Sequence, residues 1–352
     1  MKGVKTGDLG PKMGYHSKDN GWCTFDNVRI PRTQLLSKFI DVDRDGSFSI
    51  KGDTRELYSV MMLIRTFIML STKTFLARAL TIAIRYSTVR RQFRNISGQK
   101  DETQIIDYQT QQMKLFPILA MNFAHAYFSK YVMDIFHKMM DGINSRPQNY
   151  SLMDVMHHLT AGGKSVLTQE CNDSLFVVRQ SLGGAGYSAW SGIPYLIEDY
   201  SPEVTYEGDN TVMAQQSANY LFKQLKRMKK GKKYDSSEFL FYLDQLEETT
   251  RTKCAATEPS FFLDLNNLEE ALKVHVSVQL RDLMAIMAAS KASKKDFTNV
   301  LYALDIVKVA NAHFLFVIYW VFKRNLQNGS LNCANLRQNM TNLCLLYGLT
   351  HL

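Results

Sequence analysis

The 352-residue sequence is poor in proline, with 7, and in cysteine, with 5, and it contains no Cys-x-x-Cys pair. Cys23, Cys171, Cys254, Cys333 and Cys344 are odd in number and far apart, which argues against a disulfide framework and a cysteine-based zinc site and points to a reducing compartment. No apolar stretch like a signal-peptide core occurs in the first 22 residues. Long hydrophobic runs are also missing. The longest, Val309 to Phe322, has 14 residues and includes Asn311 and His313. A bilayer span needs about 20, so a soluble chain without a membrane span is expected. Hydrophobic residues make up 45% and charged ones 21%, which excludes a disordered chain or a collagen-like repeat and suits one large or two ordinary packed domains.

The charge that is present is unevenly spread. Lys and Arg number 42 against 33 Asp and Glu, a net +9, but seven of the basic residues fall between Lys223 and Lys233. The global excess is therefore no sign of a nucleic-acid face. Residues 1–50 carry short runs such as Trp22-Cys23-Thr24-Phe25, punctuated by Gly, Asp and Asn, which read as strands and turns. From about Asp53 the pattern is helical. Leu57, Val60, Met61, Ile64, Phe67, Ile68 and Ser71 recur at i, i+3, i+4 spacing, predicting a helix to about Val89. Further helices are expected over about 105–140 and 152–181, then from the Glu207 region to the basic run. A linker with a short amphipathic helix follows over 235–257, and then helices over 268–292, 295–323 and 335–349. The sum is an all-α body with a β fragment in front.

Several motifs invite chemistry. Asp41-Val-Asp-Arg-Asp-Gly-Ser matches the first half of a calcium loop, but position 12 is Gly52 rather than Glu and no helix precedes it; a hairpin turn accounts for it better. The basic run suits phosphate, nucleic acid or anionic lipid, yet cations at a helix end also complement the dipole and no aromatic residues interleave with it. His157 and His158 are adjacent and so project in different directions, without a third metal ligand. Arg90-Arg91-Gln92-Phe93 places a planar cation at a helix end, where it could clamp a pyrophosphate. Gly183-Gly184-Ala185-Gly186 allows close backbone approach to a ligand, or simply stops a helix. In Thr205-Tyr206-Glu207-Gly208-Asp209-Asn210-Thr211, a lone Glu precedes a helix, where it serves as a cap or as a partly desolvated base.

Together and in this order, the last three, the Arg90, Gly183 to Gly186 and Glu207 segments, resemble the acyl-CoA oxidase branch of the acyl-CoA dehydrogenase superfamily. Others that carry the likeness are Gly7 to Tyr15, Asp26 to Pro31, Thr81 to Arg90, Asp107 to Pro117, Leu159-Thr160-Ala161-Gly162 and Leu343 to Leu349. The resemblance covers essentially the whole chain. It implies a mainly α fold: a short β-barrel remnant of the family's middle β domain at 1–50, a four-helix domain at 51–234 and a C-terminal helical domain at 235–352.

The resemblance also implies an activity. The family oxidises a fatty acyl-CoA to trans-2-enoyl-CoA with FAD, and O2 reoxidises the flavin to give hydrogen peroxide. Glu207 takes the position of the base. Arg90 and Gln109 match positions that reach the FAD of the neighbouring subunit of a homodimer. Gln180 and Gly184 match contacts to the pyrophosphate, and Asn210 and Thr211 fall where the family touches the cofactor beyond the base. Arg65 resembles a family arginine near the active site, although an Arg snorkelling from a helix edge reads equally well. Peroxisomal localisation is implied too, although the sequence ends Thr350-His351-Leu352 rather than on a peroxisomal tripeptide. The expected departures are Arg94, where Gly often follows the Arg-x-x-Phe, and the lack of the leading helical domain and much of the β domain. The alternative to an oxidase is a truncated, non-catalytic scaffold of the same descent; a dehydrogenase ranks below both.

Overall fold

A computed structural model describes residues 1–51, 53, 56–94, 100–232, 237–329 and 332–352. Gly52 and Lys233, singled out above, lie outside the described residues. The β fragment forms two separate antiparallel hairpins and no barrel. β1 (Val4–Asp8) pairs with β2 (Gly21–Phe25), and β3 (Ile40–Val42) with β4 (Phe48–Ile50). The aspartate-rich segment is the turn of the second hairpin: Asp43 N–H donates to Ser47 O at 2.9 Å and Ser47 Oγ to Asp45 at 2.7 Å. Between β1 and β2 the chain docks on the helical body. Tyr15 N–H donates to Asp199 Oδ1 at 2.8 Å, and Gly14 packs directly on the Glu198 backbone.

The helices follow in order: α1 (Glu56–Val89), α2 (Gln109–Asn144), α3 (Met153–Ser181), α4 (Gly184–Tyr187), α5 (Ile193–Tyr200), α6 (Asn210–Lys229), α7 (Leu246–Thr249), α8 (Leu265–Ala289), α9 (Lys294–Asp296), α10 (Ala303–Asn328) and α11 (Ala334–Thr350). The long ones match the sequence expectation to within about five residues, except α10, which starts at Ala303 rather than at 295 because α9 and a π-helical turn come first. The segment 184–207, expected to be a loop, is instead wound into α4, α5 and single 3-10 turns. Pro117 sits inside α2. An interior proline costs about 3 kcal/mol, whereas each buried Leu- or Ile-sized side chain returns about 1.5–3 kcal/mol. Leu115, Ile118, Met121 and Phe128 are all buried on this helix, so the helix runs through.

α3 is the central helix, packed on α1, α2, α6 and α10. The pair Gly162–Gly163 explains the close approach. A Cβ on Gly162 would lie 2.0 Å from the Phe314 ring, and one on Gly163 would lie 2.7 Å from Met69 Sδ. The described part of the expected linker is not a linker at all. Phe239, Leu240, Tyr242 and Leu243 are buried in the same core that joins α3 to α10. Helices α1 and α10 are each long and apolar enough to cross a membrane by length and composition, more than the 14-residue run suggests. α10 packs on α2, α3, α6 and α8, as a core helix does.

Candidate active site

The first cluster forms where α1 and α3 pass beneath the segment that leads into α6. That segment leaves a 3-10 turn at Ser201–Val204 and must reverse sharply before the helix starts. Asp209 caps α6, its Oδ1 accepting from the N–H groups of Thr211 at 2.9 Å and Val212 at 3.4 Å. The reversal falls on Glu207 at φ +55° and Gly208 at φ +109°. Only glycine suits position 208, because a Cβ there would also lie 2.6 Å from Met213 Cε. Glu207 occupies the left-handed region without that licence, a strain on the order of 1–3 kcal/mol.

Two buried cations hold the turn. Arg65 Nε donates to Glu207 O at 2.8 Å, and Lys164 Nζ donates to Gly208 O at 2.7 Å and Asn210 Oδ1 at 2.9 Å. Hydrogen bonds from charged donors are worth about 1.5–3 kcal/mol each, enough to offset the strain. Arg65 is 4% exposed, so it does not snorkel to the surface; it points inward onto the turn. Burial lowers its pKa, and Glu207 partly restores it. Burial, with Arg65 beside it, pushes the Lys164 ammonium down to about 8 against the pull of Asp209, Glu203 and Glu207.

Beside the turn lies a cleft of about 730 Å³, walled by Ile64, Phe67 and Ile68 of α1, by Met13 and Tyr15 of the β fragment, and by Tyr206. Glu203 is buried in its wall, where Ser71 Oγ donates to Oε2 at 2.8 Å and Tyr15 OH to Oε1 at 3.5 Å. Burial raises its pKa, and these hydrogen bonds oppose the shift. The cleft is mostly apolar, with one carboxyl group, that of Glu203, and the two lysines Lys12 and Lys18 in its lining.

The second cluster sits at the opposite end of α1. Buried Gln111 ties three helices there, its Nε2 donating to Ser87 Oγ at 3.0 Å and Ser181 O at 2.9 Å. Around this knot stand Arg90, just past α1; Gln109, which opens α2; Gln180, near the end of α3; and Gly184, which opens α4. All four are exposed. Arg90 O accepts from Ile105 N–H at 2.9 Å, and its guanidinium donates to Gln92 Oε1 at 3.0 Å. No carboxylate among the described residues lies within ion-pair distance of it. No atom lies within 4 Å of a Cβ built on Gly184.

The expected site residues thus fall into two groups. Glu207, Asn210 and Thr211 share the first cluster, with Arg65. Arg90, Gln109, Gln180 and Gly184 share the second. Between Arg65 and the end of α1 at Val89 lie 24 residues of continuous helix, about 36 Å at 1.5 Å per residue. Sequence reasoning missed Lys164, Glu203 and Tyr15. A lone lysine among Ala161, Gly162, Gly163 and Val166 was the available signal for the first. Nothing local marks Glu203, whose partners Ser71 and Tyr15 are more than 130 residues away in sequence.

Known proteins resemble this chain in sequence and in fold. Family models for the acyl-CoA oxidase C-alpha1 domain and for acyl-CoA oxidase match residues 58–222 and 264–352. Peroxisomal acyl-coenzyme A oxidase 1 of Mus musculus is 34% identical over 357 residues, covering 99% of this chain and 52% of that protein. An acyl-CoA oxidase from Lycopersicon esculentum (tomato) superposes with a TM-score of 0.91 at 31% identity, over 99% of this chain and 53% of that one. Acyl-CoA oxidase-1 in Caenorhabditis elegans, complexed with FAD and ATP, gives 0.84 at 28% identity, over 100% of this chain and 50% of that one. The chain spans about half the length of the curated relatives it matches. Two family models matching most of its residues, and relatives that agree in sequence and in fold, place the chain in the acyl-CoA oxidase family.

Proposed function

We propose that the chain supplies the base-bearing part of a peroxisomal FAD-dependent oxidase that converts a fatty acyl-CoA to trans-2-enoyl-CoA, with O2 reduced to hydrogen peroxide. The observation that carries this reading is the Glu207 turn: a carboxylate-bearing residue in a strained conformation, gripped by Arg65 and Lys164 beside an apolar cleft. In this role Glu207 removes the α-proton of the thioester. The apolar walls Ile64, Phe67 and Ile68 suit an acyl chain and keep water from the proton-transfer path. A base carried on a fixed backbone loses less entropy in reaching the transition state than one on a mobile loop.

The second cluster fits a dinucleotide. A cation without a carboxylate partner among the described residues, two exposed amides and a bare glycine backbone make a donor set for an anionic pyrophosphate. Arg90, Gln109, Gln180 and Gly184 would hold it there. Bound FAD supplies the acceptor for the β-hydride and passes the electrons on to O2. With about 36 Å of α1 between the clusters, the base of one copy and the Arg90 cluster of a second would complete each site, so the working form is a homodimer.

Glu207→Gln tests the reading. Turnover of a fatty acyl-CoA, followed by peroxide release, should fall by about 10³-fold, within the range that general-base removal produces. The visible flavin band should persist. Turnover near that of the unsubstituted protein would remove Glu207 from the role.

A further inference from the structure

Lys164 is a charge in a place where packing asks for none. Its side chain is fully enclosed between α1, α3 and the segment leading into α6, and neighbouring positions 161–163 are Ala, Gly and Gly. Removing an ammonium from water is costly unless the charge is paired or fully hydrogen-bonded. No carboxylate among the described residues lies within ion-pair distance of it. Its hydrogen bonds go instead to Gly208 O at 2.7 Å and Asn210 Oδ1 at 2.9 Å, the groups on either side of the Asp209 cap.

Neighbouring bonds extend this grip. Ser165 Oγ donates to Asn210 O at 2.7 Å, and Thr168 Oγ1 to Asn210 Oδ1 at 3.1 Å, so one face of α3 engages the start of α6 at several points. From the other side Arg65 of α1 holds the preceding carbonyl, that of Glu207. Two consecutive carbonyls of a left-handed turn are therefore held by two cations from two different helices. A methionine at 164 would fill the same space at no desolvation cost. The hydrogen bonds of the ammonium go to the turn and to the first residue of α6.

We propose that Lys164 is a positioning residue: with Arg65 it clamps the Glu207–Gly208 turn so that the Glu207 carboxyl is held in one orientation for proton transfer. The proposal rests on Glu207 being the base, and its test separates the two ideas. Hydrogen exchange reports the clamp without any turnover. In Lys164→Met, exchange of the hydrogen-bonded amides of Thr211, Val212 and Met213 should quicken about tenfold or more, while α1 and the first half of α3 keep their protection. In the flavin-loaded dimer kcat should fall about 30-fold with KM within about threefold, because the lost aim is felt in the transition state. Lys164→Arg, which keeps charge and donors, should recover at least about tenfold of that loss.

Unchanged exchange at 211–213 overturns the clamp. So does faster exchange spread evenly over α1, α3 and α6, which would make Lys164 a general structural residue. A local exchange effect with kcat unchanged overturns its bearing on the reaction. Should Glu207→Gln leave turnover intact, the base assignment falls, while exchange in Lys164→Met still decides whether the clamp exists.

Discussion

The two ends of α1 are built on opposite principles. At the Arg65 end, charge is buried and committed: Arg65 Nε and Lys164 Nζ each donate to a backbone carbonyl of the same chain, and the turn they hold is strained. At the Arg90 end, charge is exposed and held only by a near neighbour: Arg90 donates to Gln92 Oε1, and Arg90, Gln109, Gln180 and Gly184 stand exposed around a knot closed by Gln111. A buried charge whose donors are satisfied internally fixes geometry. An exposed one with spare donors awaits something from outside. The first end has the character of a machined part and the second that of a receptor, which is what a site shared between two copies requires.

The most severe way to break this contrast is to put a lesion at each end and mix the proteins. Glu207→Gln should be nearly inactive alone, by about 10³-fold, and Arg90→Ala nearly so where FAD is kept well below its weakened dissociation constant. Unfolded and refolded together, about half of the dimers should be mixed, and each would contain one site free of both lesions. Activity should then return to about a quarter of the unsubstituted level if the two ends of different copies meet. No recovery above the separate proteins would mean that both ends serve the same site within one copy.

A milder test probes the open end alone. Arg90→Ala removes one charge-assisted contact to a bound pyrophosphate, about 1–3 kcal/mol, or roughly five- to 150-fold in FAD affinity. Flavin release during dilution, followed by fluorescence, measures it. The hydrogen-bond protection of α6 should be untouched, because Arg90 has no bond to the Glu207 turn. Unchanged flavin retention would reject the receptor reading of this end.

Much of this arrangement was legible from the residues. The long helices declare themselves by periodic apolar positions, and the Gly-Gly-Ala-Gly and Tyr-Glu-Gly-Asp-Asn segments mark the two ends. What stayed hidden depends on contacts distant in sequence. Tyr15 meets Glu203 across 188 positions and Lys164 meets Gly208 across 44, and no periodicity announces either pair. The 235–257 segment misled for a related reason. Its charged flanks look like a linker, but burial of Phe239 and Tyr242 is decided by α10, which comes about 70 residues later.

That same segment belongs to a third, wholly interior region that sharpens the contrast. Ser217 of α6, His158 of α3, His313 of α10 and Tyr242 form a buried chain: Tyr242 OH meets His313 Nδ1 at 2.9 Å, the two histidines meet through Nε2 at 3.1 Å, and His158 Nδ1 faces Ser217 Oγ at 2.9 Å and Ser217 O at 3.2 Å. Protons running either way satisfy it with both imidazoles neutral: from Tyr242 through His313 and His158 to Ser217 O, or from Ser217 Oγ through His158 and His313 to the Tyr242 hydroxyl. A further proton on either ring would set two N–H groups head to head or turn one toward the tyrosine hydroxyl. Burial accordingly drives both histidines down, His158 well below the ordinary value and His313 to about 3. Their folded values lie below the unfolded value of about 6.5, so the unfolded chain binds more protons as pH falls. The stability contributed is complete above about pH 6.5 and should decline by about 1.4 kcal/mol per pH unit per histidine below it. Urea unfolding between pH 7 and pH 5 should show this slope, and His313→Leu should make it shallower by one histidine's share. An equal slope in the variant would mean that His313 does not govern the acid response. Loss of flavin before loss of helix on acidification would place the weak point at the open end instead.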